Sequence, residues 1–216
     1  MGIGIIFDLD GTLLDTLDDL HAAVNHTMAQ FNCPPRTLEE VRQFVGNGVD
    51  QLVRLSLPGK DTDPDVDEVI AAYRSYYNAN CREKTGPYAG IPEALAALAT
   101  EYPLAVVSNK PDSAVKPLCR EYFGPLYSLG EQQGTPRKPA PDMVLKAMAA
   151  IGVEKCVYVG DSEVDILTAK NAGVPCLSVT WGFRDEDALR AAGAHYFCRT
   201  PHDLPQVLRS ILPEAF

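Results

Sequence analysis

Three short groups of polar residues follow apolar, strand-like runs that are far apart in the sequence. The groups are Asp8 with Asp10, Ser108 with Asn109, and Gly160 with Asp161. In an open parallel sheet the carboxyl ends of the strands form one crevice, so these groups are expected to converge there. Carboxylates gathered with a hydroxyl and an amide are suited to binding a metal ion and a phosphate group.

The crevice would hold four carboxylates. Asp8 and Asp10 are two residues apart, so an extended backbone points both to the same side. A helix beginning near residue 163 would bring Asp165 within one turn of Asp161. Carboxylates packed this densely repel and raise each other's pKa, which a hard divalent cation relieves. Oxygen ligands with room for water and phosphate favour Mg²⁺, so we predict that these four aspartates form a Mg²⁺ site.

Lys138 is the cation that we expect beside these carboxylates. Prolines at positions 139 and 141 hold its segment extended just before a helix, where its ammonium group could meet a phosphate. The Ser108 hydroxyl and the Asn109 amide can donate hydrogen bonds to phosphate oxygens, and Gly11 permits a sharp turn out of the first strand. Taken singly, each group is more often a turn, a helix cap or a surface residue. Their combination, each after the expected element, indicates catalysis.

Alternating strand-like and helical patterns supply the frame for this crevice. Apolar, β-branched runs occur at residues 3–7, 104–107, 156–159 and 176–179, with a weaker one at 195–198. Helical patterns lie between them at 92–98, 142–151 and 163–172. Pro92 fits a helix start, and Gly152 and Gly173 fit helix ends. This alternation predicts an α/β fold with a parallel sheet covered by helices on both faces.

Residues 15–87 interrupt this rhythm with helical patterns. They include an amphipathic stretch at 16–31, a capping box that opens with Thr37, and helices at 49–57 and 64–81. Residues 14–16 and 86–90 resemble two hinge strands. We therefore predict a catalytic core of residues 1–14 and 88–216, with a helical cap domain at 15–87 inserted after the first strand.

The composition limits the classes of partner. The chain has 216 residues, is 46% hydrophobic and carries a net charge of −10, which disfavours a nucleic-acid partner. An anionic substrate must then be attracted by local cations, backbone N–H groups and a metal. The six cysteines show no zinc-type spacing, and no apolar run is long enough to cross a bilayer. We expect a soluble, cytoplasmic protein with no membrane partner, and we make no prediction of its oligomeric state.

Four motifs together resemble those of the haloacid dehalogenase superfamily of phosphohydrolases. They are residues 8–12, 107–109, 138–139 and 160–165, and the similarity extends over nearly the whole chain. The resemblance implies a Rossmann-like core with a helical lid that closes over the crevice. It also implies that Asp8 attacks phosphorus to form an aspartyl-phosphate, and that Asp10 protonates the leaving group and then activates water.

The resemblance assigns the remaining residues to the metal and the phosphoryl group. Mg²⁺ is expected on the Asp8 carboxylate, the Asp10 carbonyl oxygen and Asp161. Asp165 is expected to orient water on the metal, or Lys138. Lys138 and Ser108 are expected to be catalytic by holding the phosphoryl oxygens, and Asn109, Gly11 and Thr12 are phosphate-binding candidates.

Softer similarities within the superfamily are to the phosphoglycolate phosphatase family. Residues 45–49 with Arg54 are similar to that family's cap, which makes Asn47 and Arg54 substrate-binding candidates, with Arg42 as an alternative cation. The implied substrate is a small phosphorylated metabolite such as 2-phosphoglycolate. Asp10 favours phosphate esters because the dehalogenases lack an acid there, and Thr12 favours a hydrolase over a mutase. A sugar phosphomutase, a pyrophosphatase, and a phospho-ligand-binding protein without turnover are the alternatives.

Overall fold

The computed structural model describes residues 2–59 and 64–215, with side chains through Leu212. The chain divides into two compact units, one formed by Met1–Leu14 with Pro87–Phe216 and the other by Asp15–Gly86. We refer to them as the core unit and the helical unit. Among the described residues, none of the helices combines the length and the hydropathy needed to span a bilayer.

The core unit is built around a parallel sheet. In chain order the described strands are β1 (Ile3–Phe7), β2 (Leu14–Asp15), β3 (Gly86–Pro87), β4 (Leu104–Pro111), β5 (Tyr127–Glu131), β6 (Lys155–Gly160), β7 (Cys176–Val179) and β8 (Tyr196–Cys198). Six of them form the sheet in the order β5-β4-β1-β6-β7-β8, and every pairing in it is parallel. The short strands β2 and β3 pair with each other. The predicted α/β fold is confirmed.

Two strands differ from the sequence prediction. β4 continues beyond Val107 to Pro111, so Ser108 and Asn109 lie inside the strand instead of following it. Its register against β5 shifts between Val107 and Pro111, and such an irregularity re-aims the side chains next to it. β5 was not predicted because it lies at the sheet edge, is partly exposed and has no continuous apolar run.

Helices of the core unit cover both faces of the sheet, whereas α1 to α4 belong to the helical unit. In chain order the described helices are α1 (Leu17–Gln30), α2 (Leu38–Phe44), α3 (Gly48–Ser56), α4 (Val66–Asn80), α5 (Ile91–Ala99), α6 (Asp112–Phe123), α7 (Asp142–Ile151), α8 (Glu163–Ala172), α9 (Glu186–Ala191) and α10 (Leu204–Ala215). Along β1, Ile5 and Phe7 join a cluster with α5, α6 and α10, whereas Ile6 joins α7 and α8. α7 and α8 end at Gly152 and Gly173 in the left-handed conformation, as the sequence predicts.

The helical unit has a core of its own. Its buried apolar side chains include Leu20, Val24, Met28, Val41, Leu52, Val53, Val69, Tyr73 and Tyr77. Thr37 and Glu40 form the predicted capping box, in which the Glu40 N–H donates to Thr37 Oγ1 at 3.2 Å and the Thr37 N–H donates to Glu40 Oε2 at 2.7 Å. In the first turn of α1, the buried Asp19 carboxylate accepts hydrogen bonds from the main chain of residues 84 and 85, which ties the two ends of this unit together.

Candidate active site

Lys138 is the centre of the candidate site in the core unit. Its side chain is 3% exposed, and Nζ lies 2.7 Å from Asp8 Oδ1 and 2.8 Å from Asp165 Oδ1. Asn109 holds the main chain of this lysine from β4: its Oδ1 accepts from the Lys138 N–H at 2.8 Å, and its Nδ2 donates to the Lys138 carbonyl at 3.0 Å. Both polar atoms of the Asn109 side chain therefore contact Lys138, and phosphate binding by Asn109 stays a prediction.

Asp165 is fully buried in the first turn of α8, and both of its oxygens are hydrogen-bonded. Oδ1 binds Lys138 and accepts from the Tyr158 hydroxyl at 3.2 Å. Oδ2 accepts from the Ser162 N–H at 3.1 Å and from Ser162 Oγ at 2.6 Å, which forms a capping box at the start of the helix. Of its two expected roles, orienting Lys138 is the one that this geometry favours.

Asp161 follows β6 and is 1% exposed. Thr12 Oγ1 donates to Oδ1 at 3.0 Å, and the Phe183 N–H donates to Oδ2 at 2.8 Å. Two glycines let the main chain close around this carboxylate, because a Cβ on Gly11 would lie 2.3 Å from Oδ2 and one on Gly182 would lie 2.4 Å from it. Gly11 also has a φ of +82°, a conformation that glycine adopts readily.

Asp10 does not share the partner of Asp8. Its Oδ1 lies 2.6 Å from Lys110 Nζ, and the two side chains are 14% and 3% exposed. Lys110 was missed in the sequence because the strand was expected to end at Val107, which left no structural place for the residues after Asn109. The available signal was a lysine two residues beyond Ser108, in line with the same strand.

The other phosphate-binding candidates of the core unit fall into two kinds. The Ser108 hydroxyl accepts from the Lys110 N–H at 3.2 Å, which leaves its proton to be donated. The Thr12 hydroxyl is directed to Asp161, and the Gly11 N–H donates to the Leu14 carbonyl at 2.9 Å inside the turn after β1. These contacts shape the surroundings of Asp161, and the part of Thr12 and Gly11 in phosphate binding stays a prediction.

The candidates Asn47 and Arg54 lie in the helical unit. Asn47 is half-buried immediately before α3, and Arg54 is exposed in the last turn of that helix. Arg42, the alternative cation, forms an ion pair with Glu39 at 3.5 Å in α2. Their part in substrate binding stays a prediction.

Burial and mutual repulsion shift the pKa values of the acidic side chains in the site. Burial raises the pKa of Asp8 well above its ordinary value; Lys138 opposes this, while Asp165 and Asp161 add to it. Burial and then repulsion from Asp165 raise the pKa of Asp161 to about 7. Burial acts to lower the pKa of Lys138, but the carboxylates of Asp165 and Asp8 outweigh it and raise that pKa well above its ordinary value. Lys138 is therefore charged, and Asp8 and Asp161 would each be stabilised in their ionised form by a further cation.

Asp8, Asp161 and Asp165 form a donor set for a metal, with one carboxylate oxygen from each within 4.8 Å of the others. When Asp10 is included, four carboxylates face the ammonium groups of two lysines, an excess of two negative charges if all are ionised. One divalent cation would offset this excess. Since hard cations prefer oxygen donors, the residues present fit Mg²⁺ or a similar ion.

Known proteins with this sequence pattern and fold point to one class. The haloacid dehalogenase-like hydrolase family matches residues 5–179. A phosphoglycolate phosphatase from Cereibacter sphaeroides is 34% identical over 218 residues, which cover 97% of this chain and 99% of that protein. A phosphoglycolate phosphatase from Pseudomonas putida is 34% identical over 220 residues, covering 97% of this chain and 78% of that protein.

A solved structure from Lactobacillus delbrueckii subsp. bulgaricus has a TM-score of 0.88 and 36% sequence identity, and it covers 96% of this chain and 99% of its own. The chain therefore belongs to the haloacid dehalogenase-like hydrolase family. Within that family it is an enzyme of the phosphatase class.

Proposed function

We propose that this phosphatase is a Mg²⁺-dependent phosphomonoesterase that works through an aspartyl-phosphate on Asp8. The observation that carries the proposal is the setting of Asp8, which is paired with Lys138 and grouped with Asp161 and Asp165 in one buried donor set. A carboxylate is a weak nucleophile in water, and a fixed cation orients it and favours its ionised form at the point of attack.

The reaction takes two displacements at phosphorus. In the first, an Asp8 oxygen attacks phosphorus, the bond from phosphorus to the alcohol oxygen breaks, and Asp10 gives its proton to the departing alkoxide. In the second, Asp10 takes a proton from water, the water oxygen attacks phosphorus, and the bond to Asp8 breaks to release inorganic phosphate. Asp8 then returns to a carboxylate and Asp10 to its protonated form, so the cycle closes.

The groups around Asp8 stabilise the charge that spreads over the phosphoryl oxygens. Lys138 and the Ser108 hydroxyl are the donors that we assign to those oxygens. A bound divalent cation would supply further positive charge there, held by Asp8, the Asp10 carbonyl and Asp161. Asp161 is kept in place for this by Thr12 and the Phe183 N–H.

The substrate that we propose is 2-phosphoglycolate or a close analogue. Two relatives named phosphoglycolate phosphatase align with nearly the whole chain, which supports a small acidic phosphate ester as the substrate. We propose that the helical unit acts as a cap and contributes to selectivity for the alcohol part of the substrate. Asn47 and Arg54 are its candidate substrate-binding residues. We also propose a cytoplasmic location, which the six free thiols support because disulfides are rare there.

The test is phosphate release by the purified protein from 2-phosphoglycolate, pyrophosphate and a hexose 1-phosphate, with Mg²⁺ and with chelator. We expect hydrolysis of 2-phosphoglycolate that requires the metal, and a phosphoenzyme in acid-quenched samples. Asp8→Asn should lower kcat by at least about 10⁴-fold, while Asp67→Asn, an exposed aspartate in α4, should leave it unchanged. Turnover that survives Asp8→Asn contradicts the nucleophile, and an isomerised hexose phosphate or a preference for pyrophosphate contradicts the reaction class.

A further inference from the structure

Lys110 is a buried lysine beside the reacting groups that the proposed mechanism does not use. Its side chain is 3% exposed, and Nζ lies 2.6 Å from Asp10 Oδ1. Burying an ammonium group is costly unless a negative group faces it, so a lysine in this position needs an anionic partner in every state of the enzyme.

Lys110 contacts both Asp10, the proposed proton donor to the leaving oxygen, and Ser108, a proposed phosphoryl donor. Its main-chain N–H donates to Ser108 Oγ, and its ammonium group contacts the Asp10 carboxylate. Ser108 and Lys110 lie in the part of β4 where the register against β5 shifts, between Val107 and Pro111. If Asp10 protonates the leaving oxygen, an ammonium group one hydrogen bond away would lie close to the substituent that this oxygen carries.

The chemistry of the proposed substrate supplies a negative group at that place. In 2-phosphoglycolate, a single methylene joins the leaving oxygen to a carboxylate. The protein has a net charge of −10, so this second negative charge must be met by a local cation. Lys138 is already paired with the carboxylates of Asp8 and Asp165 and serves the phosphoryl oxygens, which leaves the carboxylate of the substrate to another cation.

We propose that Lys110 binds the carboxylate of the substrate, exchanging its contact with Asp10 for one with the leaving group. The inference rests on the proposed function and makes it more specific: the preferred substrates are phosphate esters whose alcohol carries a carboxylate next to the leaving oxygen. An ester with an uncharged alcohol leaves Lys110 paired with Asp10. Part of the substrate preference is therefore set by the core unit, within the strand that also carries the phosphate ligand Ser108.

Two substrates of matched size separate this role from a purely structural one. 2-Phosphoglycolate and 2-hydroxyethyl phosphate differ in a carboxylate against a hydroxymethyl group, so their ratio of kcat/KM reports recognition of the carboxylate. Lys110→Met removes the charge and keeps the length of the side chain. Lys116→Met is the matched control, since Lys116 pairs with Asp112 in α6 and is 54% exposed.

We expect the wild-type enzyme to prefer 2-phosphoglycolate by at least about tenfold, and Lys110→Met to reduce that preference by about tenfold or more. Lys116→Met should keep it. A preference that persists in Lys110→Met overturns the inference and leaves the proposed function standing. A wild-type enzyme that shows no preference, or does not hydrolyse 2-phosphoglycolate, overturns the proposed substrate, and the inference with it.

If Lys110→Met is inactive towards both substrates, the role of Lys110 is tested by measuring how tightly each ester binds to an inactive variant. Titration calorimetry would compare the two esters on Asp8→Asn and on Asp8→Asn with Lys110→Met, after thermal melting shows that both proteins are folded. Selective weakening of 2-phosphoglycolate supports the role of Lys110. Equal weakening of both esters overturns it, because loss of a structural contact would not distinguish them.

Discussion

The hydroxyl of Tyr158 lies 3.0 Å from Nζ of Lys138 in the interior of the core unit. The single proton of this hydroxyl has two acceptors within reach, Asp165 Oδ1 at 3.2 Å and the Val107 carbonyl oxygen at 3.4 Å. Tyr158 projects from β6 towards β4, so it connects the strand that precedes Asp161 with the strand that carries Ser108. It is a positioning residue for Lys138, since it acts on the lysine and not on the substrate.

Tyr158→Phe removes this hydroxyl with little change of shape. We expect a loss of about 1–2 kcal/mol in the free energy of unfolding and a several-fold fall in kcat, because Lys138 loses one of the contacts that orient it. Urea unfolding and steady-state kinetics measure the two effects. Tyr127→Phe, at a partly exposed tyrosine of β5, is the control. A lower stability with an unchanged kcat would show that Tyr158 supports the core alone.

The residues of the site that the sequence identified are those whose position follows from local pattern. Asp8, Asp161 and Asp165 stand at the end of a predicted strand or in the first turn of a predicted helix, so topology alone brings them together. Tyr158 lies in an apolar run, which correctly indicated a buried strand but carried no information about its hydroxyl. Its partner is Lys138, 20 residues away, and the contact exists only in the folded chain.

Two departures from the prediction, the missed helix α6 and the premature end of β4, have different physical reasons. α6 contains Pro117, which normally argues against a helix interior, but Val115, Leu118 and Cys119 bury a helical face against the sheet and this packing prevails. β4 was predicted to end at Val107 because polar residues follow it. Polar side chains are tolerated in this part of β4 because they have hydrogen-bond or ion-pair partners, as the Lys110 ion pair with Asp10 illustrates.

The raised pKa of Asp161 predicts a pH dependence of metal binding. At a pKa of about 7, well above the ordinary value of 3.8, Asp161 holds a proton below neutral pH that a metal must displace. Affinity for Mg²⁺ should therefore rise with pH up to about 7 and then level off, by up to about tenfold per pH unit for each proton released. Asp8, whose pKa is also raised by burial, adds to the proton release.

The fluorescence of Trp181 can follow Mg²⁺ binding, since Trp181 is the single tryptophan and its Nε1 donates to the Thr12 carbonyl at 3.0 Å.

The raised pKa of Asp161 has the opposite effect on the stability of the metal-free protein. Ionising Asp161 costs folding free energy, so its contribution to the free energy of unfolding falls as pH rises from about 4 to about 7. Mg²⁺ should raise the melting temperature more at high pH than at low pH. A Mg²⁺ affinity that is independent of pH over this range contradicts the assignment of Asp161 as a ligand.

Gly182→Ala tests whether close packing around Asp161 is needed for the metal site. The added Cβ would lie 2.4 Å from the Asp161 Cβ, from Oδ2 and from the Gly11 carbonyl oxygen, so the carboxylate must move. We expect Mg²⁺ affinity to fall at least about tenfold, with a loss of about 1–3 kcal/mol in stability. Gly2→Ala meets no atom within 4 Å and serves as the control. Unchanged metal affinity would mean that the loop adjusts without disturbing Asp161.

The Asp19 carboxylate provides a matched test of what holds the helical unit together. Oδ2 accepts from the Thr85 N–H at 2.9 Å and from Thr85 Oγ1 at 2.8 Å, while the Lys84 N–H donates to both oxygens at 3.1 Å. Asp19→Ala leaves the buried donors of Thr85 and the Lys84 N–H without this acceptor, so we expect a loss of about 2–4 kcal/mol in the free energy of unfolding. Asp18→Ala, the exposed neighbour in the same helical turn, should cost no more than about 1 kcal/mol through the helix dipole. Urea unfolding of both variants measures the difference, and equal losses would show that the effect comes from negative charge at the start of α1 and not from the bonds to residues 84 and 85.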